Sequence, residues 1–120
     1  MTIPVEGTVT FQGREAMPTN PVVYFRTTEA APGYPTRPAR GVVGDDGELE
    51  VTAFERGDGL VPGKYDVMIE FFDLKPGADP ARESSYDRTE IALEPLEVPS
   101  NHSGPIQLSY TIPTRAAAAP

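Results

Sequence analysis

The sequence predicts an all-β protein, a seven-stranded Greek-key β-sandwich. Apolar and polar residues alternate with a period of two along several runs, as they do in strands with one buried and one wet face. The 120 residues include 11 glycines and 14 prolines, spread without a period, which is typical of many short strands joined by turns. No segment carries apolar residues at helical spacing over three turns.

Five runs predict strands directly, and two more predict them weakly. The alternating runs are residues 5–11, 48–53, 64–71 and 106–112. Residues 21–27 (PVVYFRT) are rich in β-branched and aromatic side chains, which favours a fifth strand. The two weaker strands are residues 40–44 and 93–98. Pro95 interrupts the second of these and therefore indicates an edge strand.

The connections between these runs carry turn chemistry. Asp45-Asp46-Gly47 predicts a tight hairpin in which glycine supplies a positive φ. Residues 56–63 form a loop that Pro62-Gly63 closes. Residues 28–38 and 72–85 are the longest connections, and the second is predicted as loop with one short helical turn. We expect one domain over residues 1–113 and an Ala- and Pro-rich, frayed tail over 114–120.

Composition excludes several classes of protein. The net charge is −8 and the pI is about 4.5, which disfavours nucleic acid and anionic membrane surfaces as partners. The absence of cysteine rules out disulfides, thiolate nucleophiles and iron–sulfur clusters. No apolar run approaches the roughly 18 residues of a membrane span. Met1 is followed by no secretory signal, so the chain is either cytoplasmic or has lost a leader.

Four motifs together resemble carboxypeptidase regulatory-like, or transthyretin-like, domains. VEGTVTFQG at residues 5–13 is similar to their first strand and turn, and residues 21–25 fit their second strand. GDDGELEV at 44–51 resembles their T-D-x-D-G-x-F-x-L hairpin. DGLVPGKYDV at 58–67 resembles their G-x-x-P-G-x-Y-x-V strand entry. The resemblance implies a transthyretin-like, Ig-like sandwich from a bacterial, planctomycete-type secreted or cell-envelope protein.

Catalytic relatives on this kind of sandwich use residues that the chain lacks. Hydroxyisourate hydrolases use several histidines and a C-terminal Tyr-Arg-Gly-Ser, and intradiol dioxygenases hold iron with two tyrosines and two histidines. This chain has one histidine, His102, in a polar stretch that predicts a solvated loop, and it ends in Ala-Ala-Ala-Ala-Pro. We therefore expect no enzyme and no cofactor.

Acidic residues form the first set of candidate site residues. Asp45, Asp46 and Glu48, with Asp58 nearby in sequence, carry the oxygens that calcium prefers. Hairpin chemistry explains the same residues, and their spacing lacks the EF-hand pattern, so the favoured prediction is no metal site. Arg56-Gly57-Asp58 matches an integrin-binding tripeptide but lies inside a turn that needs those residues.

Two further groups have a structural and a functional interpretation. The long connection is made acidic by Asp73, Asp79, Glu83, Asp87 and Glu90. Paired carboxylates serve glycoside hydrolysis, but a solvated loop explains the same charges. Of the five tyrosines, Tyr65 and Tyr110 alternate with strand residues and are predicted in the core. Tyr34 and Tyr86 lie in the two long loops and are the candidate ligand surface.

The sequence favours a non-catalytic module that acts as a structural spacer or binding domain of the bacterial cell envelope, with protein or glycan partners. One alternative is a structural subunit that self-assembles through sheet edges. A second is a calcium-binding, adhesion-type module. An enzyme is disfavoured because one histidine, no cysteine and no phosphate loop leave few mechanisms.

Overall fold

The computed structural model describes residues 2–13 and 17–113, so the predicted tail at 114–120 lies outside the described residues. Seven strands and one 3₁₀ turn occur in the described parts of the chain. They are β1 (Val5–Phe11), β2 (Thr19–Ala30), β3 (Ala39–Val43), β4 (Glu48–Thr52), β5 (Gly63–Leu74), η1 (Glu83–Ser85), β6 (Tyr86–Val98) and β7 (Ile106–Ile112). The prediction of an all-β protein with seven strands is confirmed.

The strands form one curled mixed sheet in the order β6-β5-β2-β3-β4-β1-β7. Neighbouring strands run antiparallel, except that β1 and β7 run parallel from Val5↔Ile106 to Phe11↔Ile112. The two edges of the sheet are therefore β6 and β7. The long antiparallel pairs β2–β5 and β5–β6 make one half of the sheet, and the shorter strands make the other.

The core lies inside the curl of the sheet. The ring of Phe11 on β1 meets the ring of Phe71 on β5 edge-on, with centroids 5.3 Å apart, so the end of the sheet that carries β1 faces the end that carries β5. Phe25 and Tyr65 make a second edge-on pair at 6.3 Å. The alternating burial of each strand follows the predicted alternation of apolar residues.

The prediction of residues 72–85 as a loop is wrong at its start, and β6 is much longer than predicted. β5 continues to Leu74, and β6 begins at Tyr86, directly opposite it. The first half of β6 (YDRTEIA) has a weak apolar pattern. It is nevertheless a strand because its pairing with β5 and its ion pairs hold it in place. Arg88 bridges Glu70, at 2.6 Å, and Glu90. The expected short helical turn is present as η1.

Pro95 lies on an edge strand, as predicted. Leu93 pairs with Val67 and Leu96 pairs with Tyr65, so Glu94 and Pro95 together oppose one residue of β5. This is a β-bulge, in which the missing N–H of proline costs no ladder hydrogen bond. The bulge and the charges of β6 make this edge a poor template for another strand.

Two predicted turns have the expected backbone. Gly47 has φ +85° and its N–H donates to Gly44 O at 2.9 Å, and a Cβ there would lie 2.8 Å from Val9 O. Only glycine fits that position without displacing β1. At the entry to β5, Pro62 and Tyr65 are buried, and the Tyr65 hydroxyl donates to Val61 O. This contact fixes the corner from which β5 starts.

Candidate functional site

The outer surface of β2, β3 and β4 carries a group of aromatic and cationic side chains. The strand register places Tyr24 beside Arg40 and Arg40 beside Thr52, while Val42 lies beside Glu50. The loops before β3 and after β4 add further side chains to the same surface. We call this surface the arginine–aromatic face, made of Tyr24, Arg37, Arg40, Val42, Phe54 and Arg56.

Arg37 and Phe54 form a cation–π pair within the arginine–aromatic face. The Arg37 guanidinium lies over the Phe54 ring, with Cζ 4.8 Å from the centroid. Its Nε donates to Ala53 O at 2.6 Å, which fixes the plane of the guanidinium. Phe54 is nevertheless 50% exposed and Val42 is 51% exposed. This apolar surface is open to solvent, and the contact with Arg37 preorganises the Phe54 ring.

The face is cationic although the whole chain is acidic. It contains three arginines and one lining carboxylate, Glu50, whose Oε1 lies 3.0 Å from Nε of Arg56. Arg40 is exposed, and no ion pair joins it to any of the described residues. The local charge of the lining side chains is therefore +2 in a protein of net charge −8. Such a local reversal of sign attracts carboxylates against the average field of the protein.

Two open grooves lie on either side of Tyr24. One, of about 710 Å³, runs over β3 and β4 between Arg40, Val42 and Phe54. The other, of about 600 Å³, runs over β2 and β5 and is lined by Met68 and Ala92. Tyrosine, phenylalanine, methionine and arginine are the side chains that are enriched at the centres of protein interfaces.

The acidic residues that the sequence singled out are not brought together. Asp46 lies in the hairpin before β4, where its Oδ1 accepts the Glu48 N–H at 3.0 Å. Asp45 and Glu48 are exposed. Asp58 lies at the far end of β4, roughly 20 Å away at the usual rise per strand residue. Among residues 2–13 and 17–113, no three histidine or acidic residues are grouped as metal ligands.

Asp58 is bound to the backbone of its own loop. Its two oxygens accept the N–H groups of Ala53, Phe54 and Glu55 at 2.8, 3.1 and 3.0 Å. Partial burial raises the pKa of the Asp58 carboxyl, but these hydrogen bonds outweigh it, and the pKa lies below its usual value. The carboxylate therefore closes the loop after β4, and its partner Arg56 in the tripeptide turns away toward Glu50.

The two tyrosines predicted as a ligand surface lie at opposite ends of β5. Tyr34 is half-buried and packs against the core near the start of β5. Tyr86 pairs with Leu74 at the other end, and its hydroxyl donates to Pro80 O at 2.9 Å. It lines an open groove of about 410 Å³ together with Phe72 and Arg82. The two rings therefore cannot form one platform.

The remaining candidates are dispersed. His102 is exposed, and its Nε2 lies 3.5 Å from Pro105 O. Of the acidic residues in the predicted long connection, Asp87 and Glu90 belong to β6, and Asp79 accepts the Ala81 N–H at 3.0 Å. Tyr65 is buried and Tyr110 is half-buried against the core, as predicted. Burial, with the charge of Glu94, raises the pKa of Tyr110 to about 12.

Sequence reasoning missed the arginine–aromatic face because its members come from four separate segments. A signal was nevertheless present. Tyr24 and Arg40 occupy the wet positions of their strands, where an aromatic ring is unusual unless it has a partner. Phe54 lies two residues after β4, in an exposed part of the loop.

The fold and this face define an all-β protein with one preorganised cationic surface. None of the described residues forms a helix that is long and apolar enough to cross a membrane. No protein-family model, curated protein or solved structure matches the chain.

Proposed function

We propose that the chain is a non-catalytic β-sandwich module of the transthyretin-like kind that serves as a binding domain, with the arginine–aromatic face as its binding surface. The observation that carries the proposal is a preorganised surface of local charge +2 with two half-exposed apolar side chains, in a protein of net charge −8. Placement in a bacterial cell envelope stays a prediction from the resemblance.

The sandwich interpretation is supported by the way the sheet curls. Phe11 of β1 packs against Phe71 of β5, so strands from the two ends of the sheet form opposite walls of one core. The Tyr65 hydroxyl, hydrogen-bonded to Val61 O at a P-G-x-Y corner, is a device typical of Greek-key sandwiches. Both features favour two layers over a flat sheet.

The non-catalytic part of the proposal rests on the bonds that the titratable groups already make. Asp58, Asp46, Tyr65 and Tyr86 each hydrogen-bond to backbone atoms within six residues of their own position. These bonds close turns and strand entries. Groups used in this way support the fold and are not free to exchange protons with a substrate.

The ligand we propose is an acidic segment of a protein that also carries apolar side chains. Arg40 and Arg37 offer planar donors to carboxylates, and Val42 and Phe54 offer an apolar floor. A glycan would bind this surface less well because stacking on a sugar needs an aromatic ring with a free face. Arg37 covers one face of Phe54, and Tyr24 is half-buried with its hydroxyl 3.5 Å from Glu70 Oε1.

The test is an NMR titration of ¹⁵N-labelled protein with a capped peptide of alternating glutamate and leucine. We expect shifts at Tyr24, Arg40, Val42 and Thr52 that weaken as salt rises. The same peptide with lysine in place of glutamate is expected to leave these amides unchanged. Stronger shifts with oligogalacturonate than with the peptide would assign the face to glycans and overturn the proposal.

A pair of arginine variants sharpens the titration. Arg40→Ala is expected to weaken peptide binding at least about tenfold, because it removes from the face an exposed charge that no described residue neutralises through an ion pair. Arg82→Ala removes an equally exposed arginine from the groove beside Tyr86 and is the matched control. Loss of binding in Arg82→Ala with retention in Arg40→Ala would place the site at Tyr86 instead.

A further inference from the structure

The two edges of the sheet are built very differently. β6 carries five charged residues in its sequence YDRTEIALEPLEV, as well as Pro95 and the bulge. β7, with the sequence IQLSYTI, has no charge, no proline and no bulge over seven residues. In the part of the chain that the structure describes, β7 pairs only with β1. Proteins normally protect a free edge with the very features that β7 lacks.

The hydrogen bonds to β1 show which backbone groups of β7 remain free. Ile106 N donates to Pro4 O at 2.8 Å, and Ile112 O accepts from Gln12 N at 2.9 Å. In a parallel ladder the N–H and C=O of one residue point to the same side, and successive residues alternate. The even-numbered residues of β7 therefore face β1. Gln107, Ser109 and Thr111 present their N–H and C=O groups at the outer edge.

We infer that the outer edge of β7 is the interface of a homodimer, formed when two copies pair their β7 strands antiparallel around a two-fold axis at Ser109. The partner is a second copy of this chain. Its β7 meets this β7 with Ser109 opposite Ser109 and Gln107 opposite Thr111. These are the residues whose backbone groups point outward, so three residue pairs exchange six N–H···O=C bonds.

The side chains of β7 are complementary to themselves in that register. On the outer surface, uncharged Gln107, Ser109 and Thr111 face one another. The Gln107 amide donates through Nε2 to Glu6 Oε1 of its own chain at 2.7 Å, so its carbonyl oxygen is the group that can accept from Thr111 of the other copy. On the inner surface, Leu108 of one copy lies opposite Tyr110 of the other. Both residues are half-buried at the edge of the core, so pairing covers apolar surface that one copy leaves exposed.

Charge explains why the occupant is a second copy at this edge and not at the other. Two chains of net charge −8 repel each other, and the repulsion is smallest where the contacting strand is uncharged. Pairing of β6 with β6 would set its carboxylates and Pro95 against each other. Because only one edge is open, the pairing closes as a dimer and does not continue into a fibre.

The first test is sedimentation equilibrium of the full chain from micromolar to millimolar concentration. We expect a reversible shift from 12.9 kDa toward twice that mass. Hydrogen exchange at the amides of 107, 109 and 111 is expected to slow as concentration rises. A mass of 12.9 kDa at every concentration, whether these amides exchange fast or are protected by the chain itself, would overturn the dimer.

Charge variants at the two-fold axis make the test specific. Ser109→Lys and Ser109→Asp each place like charges against each other, and each is expected to be monomeric, whereas an equal mixture of the two recovers the doubled mass. Thr8→Lys is the matched control because Thr8 is exposed beside Ser109, one strand in from the edge. If Thr8→Lys dissociates the dimer as strongly as Ser109→Lys, or if the mixture stays monomeric, the interface lies elsewhere.

Salt dependence gives an independent check. Each copy carries a net charge of −8, so dimerisation brings two like-charged chains together. Raising the ionic strength from about 0.01 M to about 0.15 M shortens the screening length from about 30 Å to about 8 Å and is expected to increase the dimer fraction. A dimer that dissociates as salt rises would be held by ion pairs and would contradict pairing through β7.

Discussion

Residues 53–65 present two surfaces that use polar side chains in opposite ways. On the inner side, Asp58 closes the loop by accepting three backbone N–H groups, and the Tyr65 hydroxyl donates to Val61 O. On the outer side, Phe54 is half exposed, and the Arg56 side chain is 88% exposed beside Glu50. The inner groups have their partners within the chain, while the outer groups have room for more.

This contrast separates stability from binding. A polar group that loses its partner keeps the cost of leaving water, in full at the buried Tyr65–Val61 contact and in part at half-buried Asp58. Changes on the inner side should therefore lower the free energy of unfolding. An exposed group near a surface ion pair contributes little to folding. Changes on the outer side should therefore alter binding and leave stability almost unchanged. Four substitutions test the contrast, in decreasing order of expected effect on stability.

Gly59→Ala should cost the most. Gly59 has φ +103°, and a Cβ there would overlap the carbonyl oxygen of Ile3, which accepts the Leu60 N–H at 3.0 Å. We expect a loss of about 3 kcal/mol or more in urea unfolding because the Ile3–Leu60 bridge must open. Gly77→Ala has a similar positive φ but nothing within 4 Å, and it should cost only about 1 kcal/mol. Equal costs would show that the close approach to Ile3 is unimportant.

Tyr65→Phe should cost about 2 kcal/mol, because it leaves the buried Val61 carbonyl without its donor. Tyr86→Phe removes a comparable bond to Pro80 O from an exposed position and should cost less than about 0.5 kcal/mol. Thermal unfolding of the two variants checks the difference. A Tyr65→Phe protein as stable as the parent would show that the hydrogen bond from Tyr65 to Val61 O does not stabilise the fold.

Asp58→Asn should cost between about 1 and 2 kcal/mol at pH 7, since the charged acceptor of three N–H groups becomes neutral. The folded pKa of Asp58 lies below the unfolded value of 3.8, so its contribution is present above about pH 4. That contribution is lost as the pH falls through the folded pKa. The unfolding curves of parent and variant should therefore converge in acid.

Asp45→Asn removes a carboxylate from an exposed turn and is the matched control, which should cost less than about 0.5 kcal/mol at pH 7. A stability gap for Asp58→Asn that stays constant down to pH 2 would mean that the lost contribution is packing and not charge.

Arg40→Ala should change stability least, by less than about 0.5 kcal/mol, because Arg40 is exposed and joined to no described residue by an ion pair. The same substitution should weaken binding of the acidic peptide. A large loss of stability without a change in affinity would show that Arg40 supports the fold. It would contradict the separation between stabilising and binding residues.

Much of the fold could be predicted because local signals agree with the tertiary structure. Apolar and polar residues alternate in residues 5–11 and 106–112 because each strand buries one face only. Turn residues occur where the backbone needs a positive φ or a fixed start to a strand, at Asp46-Gly47 and at Pro62-Gly63. These signals depend on neighbours along the chain, which a sequence displays directly.

The rest depends on contacts between distant segments. The first half of β6 is a strand because β5 lies beside it and Arg88 bridges to Glu70, although its own pattern is weak. The predicted pair Tyr34 and Tyr86 is separated by the length of β5, which no local pattern reveals. The arginine–aromatic face gathers side chains from four segments, and only the strand register brings Tyr24 beside Arg40.

The affinity of Tyr65→Phe for the acidic peptide, compared with that of Arg40→Ala well below both unfolding midpoints, tests the division of roles most directly. The Tyr65 hydroxyl donates to Val61 O, which is not part of the arginine–aromatic face. We expect Tyr65→Phe to bind as tightly as the parent, although it is less stable, and Arg40→Ala to lose at least about tenfold in affinity. Weakened binding in Tyr65→Phe together with full affinity in Arg40→Ala would contradict this division of roles.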